Sequence, residues 1–383
     1  MPLADERTRH VALVIETSNA YARGLLGGVR QYLATRPRWS IYIGEHSRQD
    51  TDLSWLEGWH GDGVIARIEN QLTARQVRRL GLPVVDVSAA GLAPEFPIVE
   101  TDDDAMARLA VQHFAERGIR TFAFVGESRF AWSTKRRNGF RAHAAARGAQ
   151  PHEFLLRATG TAAVNRRDLV EWLRELPKPV GVLASYDIHG QEVLEACKIA
   201  AIQVPEEVAV LGVDNDELLC TLTSPPMSSI QPDTARTGRM AAELLDEMMA
   251  GRGRAPMLHL VEPLGVVTRE SSDLLAVDDV DVARALRFIR ENAHRPIPVG
   301  EVARHAGLAR RTLDYRFAAT LGRTAHDEIA RVRMERVADL LLHTDWTLPR
   351  VAEHLGFAHA EYMGIAFRRR FGVPPGEFRK RRP

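Results

Sequence analysis

The sequence predicts a two-part fold: a bilobal α/β portion with two doubly wound parallel sheets, followed by an all-α portion with two helix-turn-helix units. Three observations carry this reading. Short apolar runs alternate with amphipathic helical patterns from His10 to Arg269. That alternation runs for about 260 residues, more than one doubly wound unit needs, so two lobes are expected with a cleft at the carboxyl ends of their strands. Near the end the chain repeats itself: Val302 to Arg310 reads VARHAGLAR and Val351 to His359 reads VAEHLGFAH.

The first strand is VALVI (11 to 15), followed by a helix from Ala20 to Leu33. Further strands are read at 40 to 45, 63 to 68, 83 to 87, 121 to 126, 180 to 185 and 208 to 213. Helical patterns between them include Asp104 to Arg117, Lys135 to Ala146, Asn165 to Leu176 and Ile188 to Ala200. Near-continuous apolar strands of this kind belong to parallel sheets covered on both faces.

In each copy of the repeat a small residue (Ala303, Ala352) lets two helices approach, and a glycine four residues on (Gly307, Gly356) supplies the bend between them. Leu308, Leu313 and Phe317 are expected to form the inward stripe of the second helix in one unit, and Phe357, Tyr362 and Phe367 in the other. Between the units, His326 to Leu342 carries Ile329, Val332, Val337, Leu340 and Leu341 at helical spacing, as a rod joining two bundles would. Two such helices on one rigid rod suit successive major grooves, roughly 34 Å apart along the duplex.

Composition sets limits. With 45% hydrophobic and 26% charged residues the 383-residue chain is ordinary for a globular protein of two or three domains. From Ala276 onward there are 20 Lys and Arg against 14 Asp and Glu, although the whole chain is only +1, so the basic excess sits where phosphates would be met. The apolar run after the charged first residues is too short for a signal sequence, and no stretch is long enough to span a membrane. Cys197 and Cys220, without CxxC or paired histidines, read as small buried hydrophobes in a reducing cytoplasm. No metal or other cofactor is expected.

From Asp279 to Arg382 the two units, the rod and the tail FRRRFGVPPGEFRKRR resemble the DNA-binding domain of the AraC/XylS family. The α/β portion resembles the periplasmic-binding-protein fold of LacI/GalR-type sensors, through Asp62 to Ile65, Ala184 to Asp187, Val204 to Asn215 and Ser228 to Ile230. That likeness implies chain crossings between lobes near 100 to 102, 230 to 233 and 258 to 262. LacI-type regulators carry their reading head before the first strand, whereas here nine residues precede His10. A sensor followed by an AraC-type head is the arrangement of xylose operon regulators, which this chain resembles nearly end to end. The division implied is a tail at 1–9, a sensor at 10–272 and a DNA-binding domain at 273–383.

A neutral polyol is held by carboxylates and guanidinium groups, with an aromatic ring over its C–H face. Asp187 and Asp214 each follow a buried strand, and Arg136 lies one turn after Trp132. Chemistry and resemblance together point to Arg136, Asp187 and Asp214 as hydrogen-bond partners and Trp132 as the stacking face, with Glu16 and Tyr21 from the opposite lobe. A helix N-cap is the competing role for each Asp, and core packing for Trp132. Pro232 stands where many LacI-type domains carry Gln.

On the DNA side, Arg310, Arg311, Asp314 and Tyr315 are the first-helix candidates. Ala309 replaces the family's usual Ser cap, and Tyr315 a frequent Arg. In the second helix His359 and Glu361 are the base readers, Ile365 stands at a position often basic, and Arg368 and Arg369 suit phosphates.

The resemblance implies a sugar-responsive transcription regulator, an activator, with D-xylose as effector. Another pentose, a hexose or a different small metabolite is the alternative. The implied partners are operator DNA, the sugar, a second copy of the chain and RNA polymerase, with no membrane. An enzyme, such as a DNA-repair methyl acceptor, would need a reactive cysteine in a setting neither Cys197 nor Cys220 has. A transporter-associated solute-binding protein would leave the repeat unexplained.

Overall fold

The computed structural model describes residues 7–35, 39–44, 53–56, 58–157, 161–252, 257–274 and 279–380. Residues 1–6 of the expected tail, Glu45 of the expected second strand, residues 275–278 of the connection and the last three residues lie outside these. The chain forms two compact units, Met1–Leu274 and Leu275–Pro383. No described helix is long and apolar enough to cross a membrane.

In the first unit, β1 (Arg9–Val14), α1 (Ala20–Thr35), β2 (Trp39–Ile43), β3 (Gly63–Ala66), α2 (Gln71–Arg79), β4 (Val84–Asp86) and β5 (Ile98–Thr101) begin one lobe. The chain then enters a second lobe. It consists of α3 (Asp103–Glu116), β6 (Thr121–Gly126), α4 (Ala131–Ala145), β7 (His152–Leu155), α5 (Ala162–Glu175), β8 (Val180–Ala184), α6 (Asp187–Ala200), β9 (Val208–Val213), α7 (Glu217–Leu222) and β10 (Ser228–Gln231). Helix α8 (Thr234–Met249) and β11 (Leu258–Val261) return to the first lobe, and β12 (Gly265–Val267) ends in the second.

The sheets have the orders β11-β5-β4-β3-β1-β2 and β12-β10-β9-β8-β6-β7. All their pairings are parallel except β10 with β12. Strands β3, β8 and β9 are buried along their whole length, as their unbroken apolar sequences require. The chain crosses between sheets at 101–103, 231–234 and 261–265, beside the regions the resemblance implied.

Helices α1 and α8 pack closely because glycine allows it. A Cβ on Gly28 would lie 2.1 Å from the Ala235 carbonyl oxygen, and one on Gly238 2.0 Å from that of Leu25. Helix α4 starts at Ala131, a turn earlier than the pattern suggested, so Trp132 and Arg136 share one helix. Cys197 and Cys220 are buried and unbridged.

The second unit holds α9 (Val280–Glu291), α10 (Val299–Ala306), α11 (Arg310–Leu321), α12 (Ala325–His343), α13 (Leu348–His354), α14 (Ala360–Phe371) and α15 (Pro375–Arg379). Gly307 and Gly356 adopt φ of 72° and 67°, closing α10 and α13 as the repeat predicts. Two cores form, and α12 serves both. Ile329 and Val332 enter the core with Leu313 and Phe317, whereas Met334, Val337 and Leu341 enter the core with Met363 and Phe367.

One residue of the expected stripe is corrected. Tyr362 is 66% exposed and Met363 is fully buried in its place. The turn after Gly356 is one residue longer than that after Gly307, since α14 starts at Ala360 and α11 at Arg310. The equivalence between copies therefore shifts from 49 to 50 residues beyond the turn, and helical periodicity puts Met363 where Leu313 stands.

Candidate functional site

The strands of the first unit point their carboxyl ends at a cleft between its lobes. The first lobe supplies Tyr21 from α1, Arg67 and Glu69 from beyond β3, Val87 and Ala89 from beyond β4, and Glu100 and Thr101 from β5. The second supplies Trp132 and Arg136 from α4 and Asp214 from beyond β9, with Asp103 at the crossing between them. Of the six sequence candidates, Tyr21, Trp132, Arg136 and Asp214 line this space together.

Each lobe presents one buried guanidinium fixed by carboxylates. Arg67 pairs with Glu16 and, at 3.0 Å, with Glu69, and its charge sits 5.0 Å from the Tyr21 ring. Burial opposes the Arg67 charge, but Glu16 and Glu69 outweigh it and hold the proton more firmly than in water. Arg136 donates Nε to Asp103 Oδ1 at 2.6 Å and Nη1 to the Ser185 carbonyl, and lies 5.1 Å from the Trp132 ring. The planar fork is thus oriented from behind. Burial pushes the Tyr21 hydroxyl up to about 12, so it stays a neutral partner, 3.3 Å from the Thr101 hydroxyl.

Asp214 reaches the cleft from a strained turn, with φ of 106° at Asp214 and 47° at Asn215. Two adjacent non-glycine residues at positive φ are costly, about 1–3 kcal/mol each, and such strain collects at functional sites. Asp187 and Glu16 stand behind the wall. Asp187 accepts from Ser229 Oγ at 2.6 Å and from the Asp216 amide at 2.7 Å, which braces the Asp214 turn. Gly212 leaves room for it, since a Cβ there would lie 2.2 Å from Asp187 Oδ1. The N-cap of α6 is Tyr186, so Asp187 does not cap its helix. Burial, then the Asp214 charge, raises the Asp187 carboxyl to about 8.

Sequence reasoning missed Arg67, Glu69, Glu100 and Asp103. The available signal was charge at the carboxyl end of, or just beyond, a short apolar stretch, in ARIEN (66 to 70) and VETDD (99 to 103).

In the second unit, α11 and α14 each begin without a side-chain cap, at Ala309 and His359. Their first amides are open to an external acceptor such as phosphate. Arg310, Arg311 and Tyr315 are exposed and Asp314 half-buried on the first two turns of α11. His359 and Glu361 are exposed at the start of α14, and Arg368 and Arg369 on its last turn. Arg316 instead pairs with Asp279 and Asp281 at 3.1 and 3.0 Å, a structural tie to α9. The 50-residue equivalence sets Tyr315 opposite Ile365, both strongly exposed.

Residues 10–104 match the XylR N-terminal domain, 111–272 a periplasmic binding protein-like domain and 302–381 a helix-turn-helix domain. The chain is 30% identical over 386 residues to the xylose operon regulatory protein of Haemophilus influenzae, covering 98% of this chain and 99% of that protein. It is 30% identical to the protein of that name in Escherichia coli K12, with 97% of each covered. A solved structure described as xylose-binding transcription activator xylR superposes with a TM-score of 0.81 at 28% identity, over 98% of each chain. These relatives are transcription regulators rather than enzymes. With two parallel-sheet lobes, a polar cleft between them and a twin helix-turn-helix unit, the chain belongs to the family of xylose operon regulatory proteins.

Proposed function

We propose that the chain is a D-xylose-responsive activator of a catabolic operon, working in the cytoplasm as a homodimer that contacts RNA polymerase. The observation that carries the sugar reading is the pair of guanidinium groups, Arg67 and Arg136, facing one cleft from opposite lobes and accompanied there by Asp214. Vicinal hydroxyls suit such forks and carboxylates, and the Trp132 ring covers the apolar C–H face. Tyr21, Trp132, Arg136 and Asp214 touch the sugar in this reading, whereas Glu16 and Asp187 act through Arg67 and the Asp214 turn. The xylose operon regulatory proteins and the xylose-binding activator that the chain resembles support xylose.

Residues 10–272 serve as the sensor and 273–383 as the DNA-binding domain, with 1–9 a tail. Sugar bound by both lobes favours their closed arrangement by its differential affinity, and the change passes through 270–279 to the reading heads. Arg310, Arg311, Asp314 and Tyr315 read bases in one major groove, and His359 and Glu361 in the next, with Arg368 and Arg369 on phosphates.

A thermal-shift panel of pentoses and hexoses on the purified chain tests this. D-xylose is expected to raise Tm by several degrees, because a ligand at a hundredfold its Kd adds about 2.7 kcal/mol. A shift with another sugar and none with D-xylose would replace the effector.

A further inference from the structure

Ser228 and Ser229 are adjacent on β10 and completely buried, and their side chains bond in opposite directions. Ser229 Oγ donates to Asp187 Oδ1 at 2.6 Å and accepts the Asn215 amide at 3.0 Å, so it holds the turn that carries Asp214 into the cleft. Ser228 holds the segment that leaves the sensor. Its Oγ donates to the Arg269 carbonyl and accepts the Arg269 amide, both at 2.8 Å, and its own amide donates to Ser271 Oγ at 2.9 Å.

The exit segment is pinned at further points, all in the second lobe. Ser271 Oγ donates to the Val210 carbonyl at 2.7 Å, Arg269 Nη1 to that of Met227 at 3.0 Å, and Ser272 Oγ lies 2.7 Å from His113 Nε2. Ser271, Ser272 and Ser229 are, like Ser228, fully buried. Buried hydroxyls that satisfy several backbone groups resist displacement singly, because each lost bond leaves a buried partner unsatisfied.

We propose that Ser228 and Ser229 are positioning residues that couple the ligand wall to the exit segment, so that any shift of the Asp214 turn is felt at 269–272. One strand carries both bonds, and the peptide between the two serines cannot rotate for one side without moving the other. The DNA-binding unit therefore takes its signal from the second lobe.

Amide hydrogen exchange on the full chain tests this in two arms. In the sugar-free protein, Ser229→Ala is expected to speed exchange both at Asp214–Asp216 and at 269–272. Acceleration confined to the first region overturns the coupling, whatever sugar the cleft takes. Ser229→Cys keeps a polar group on Cβ, slightly larger and a weaker hydrogen-bonding partner, and gives the same readout if the alanine variant does not fold. The second arm rests on the D-xylose reading. Added D-xylose is expected to slow exchange at 269–272 in the wild type, and Ser228→Ala to abolish that response while leaving D-xylose affinity within about twofold. A retained response in Ser228→Ala overturns the proposal. Protection around Trp132 and Asp214 reports sugar binding separately, so a failed effector assignment is told apart from failed coupling.

Discussion

Glu100 on β5 grips the ammonium of Lys135 on α4 at 2.7 and 3.0 Å, an ion pair that joins the two lobes beside the cleft. Glu100 is buried and its carboxyl is raised by that burial, with Lys135 pulling the other way. Lys135→Met removes the partner and leaves a buried carboxylate that closure cannot compensate. Sugar affinity is expected to fall about tenfold or more while the secondary structure stays intact. Calorimetric titration beside circular dichroism checks this, and unchanged affinity would show that the pair plays no part in closure.

Asp214 combines backbone strain with the sugar contact proposed for it, so replacing it separates stability from function. Asp214→Gly relieves a φ of 106°. The variant is expected to melt no lower than the wild type, gaining up to about 1 kcal/mol from the relaxed turn, while losing most sugar-induced Tm shift. Parallel melts with and without sugar show both effects.

Close packing of α1 on α8 leaves no room at Gly238, where an added methyl meets backbone. Gly238→Ala should cost about 2–4 kcal/mol, read as a lower urea midpoint with the slope unchanged. Gly27→Ala, on the same helix as Gly28 but with no atom near its Cβ position, is the control, expected to lose nothing and to gain up to about 1 kcal/mol from helix propensity.

Burial lifts the Asp86 carboxyl from 3.8 to about 7, although the Ser88 and Ile68 amides bond to its Oδ1. A folded value above the unfolded one means the folded chain holds this proton more tightly. The resulting stabilisation is complete below about pH 4 and disappears as pH rises through about 7. Asp86→Asn retains the Oδ1 acceptor and cannot ionise. Relative to the wild type it should gain on the order of 1–3 kcal/mol between pH 5 and 8, seen as a flatter curve of Tm against pH.

Arg311→Ala is expected to weaken specific DNA binding by about 1–3 kcal/mol at fixed salt without altering the melt of the second unit. Arg369→Ala should instead weaken specific and random duplexes alike and lower the salt slope by about 1. Equal specificity ratios in both variants would place Arg311 on the phosphates too.

Strands whose sequence is a continuous apolar run, such as β6, β8 and β9, were legible because burial on both faces permits nothing else. Strands β5, β7, β10, β11 and β12 were not read as strands, since none is a long unbroken apolar run, and β11 exposes Leu258 and Leu260 at a sheet edge. Four cleft candidates came from residues following strands or opening α4. Arg67, Glu69, Glu100 and Asp103 escaped because their charges look like solvated surface or hinge until the second lobe covers them. Tyr362 was misassigned because the extra residue in its turn has no signature in composition. Only the packed positions of Met363 and Phe367 reveal it.

Three backbone passages join the lobes along one side, at 101–103, 231–234 and 261–265. A single strap would let the halves swivel and tilt at will, whereas three act as a flexure with one soft bending direction. Work done by a molecule held by both lobes would then go into a single displacement instead of dispersing over many.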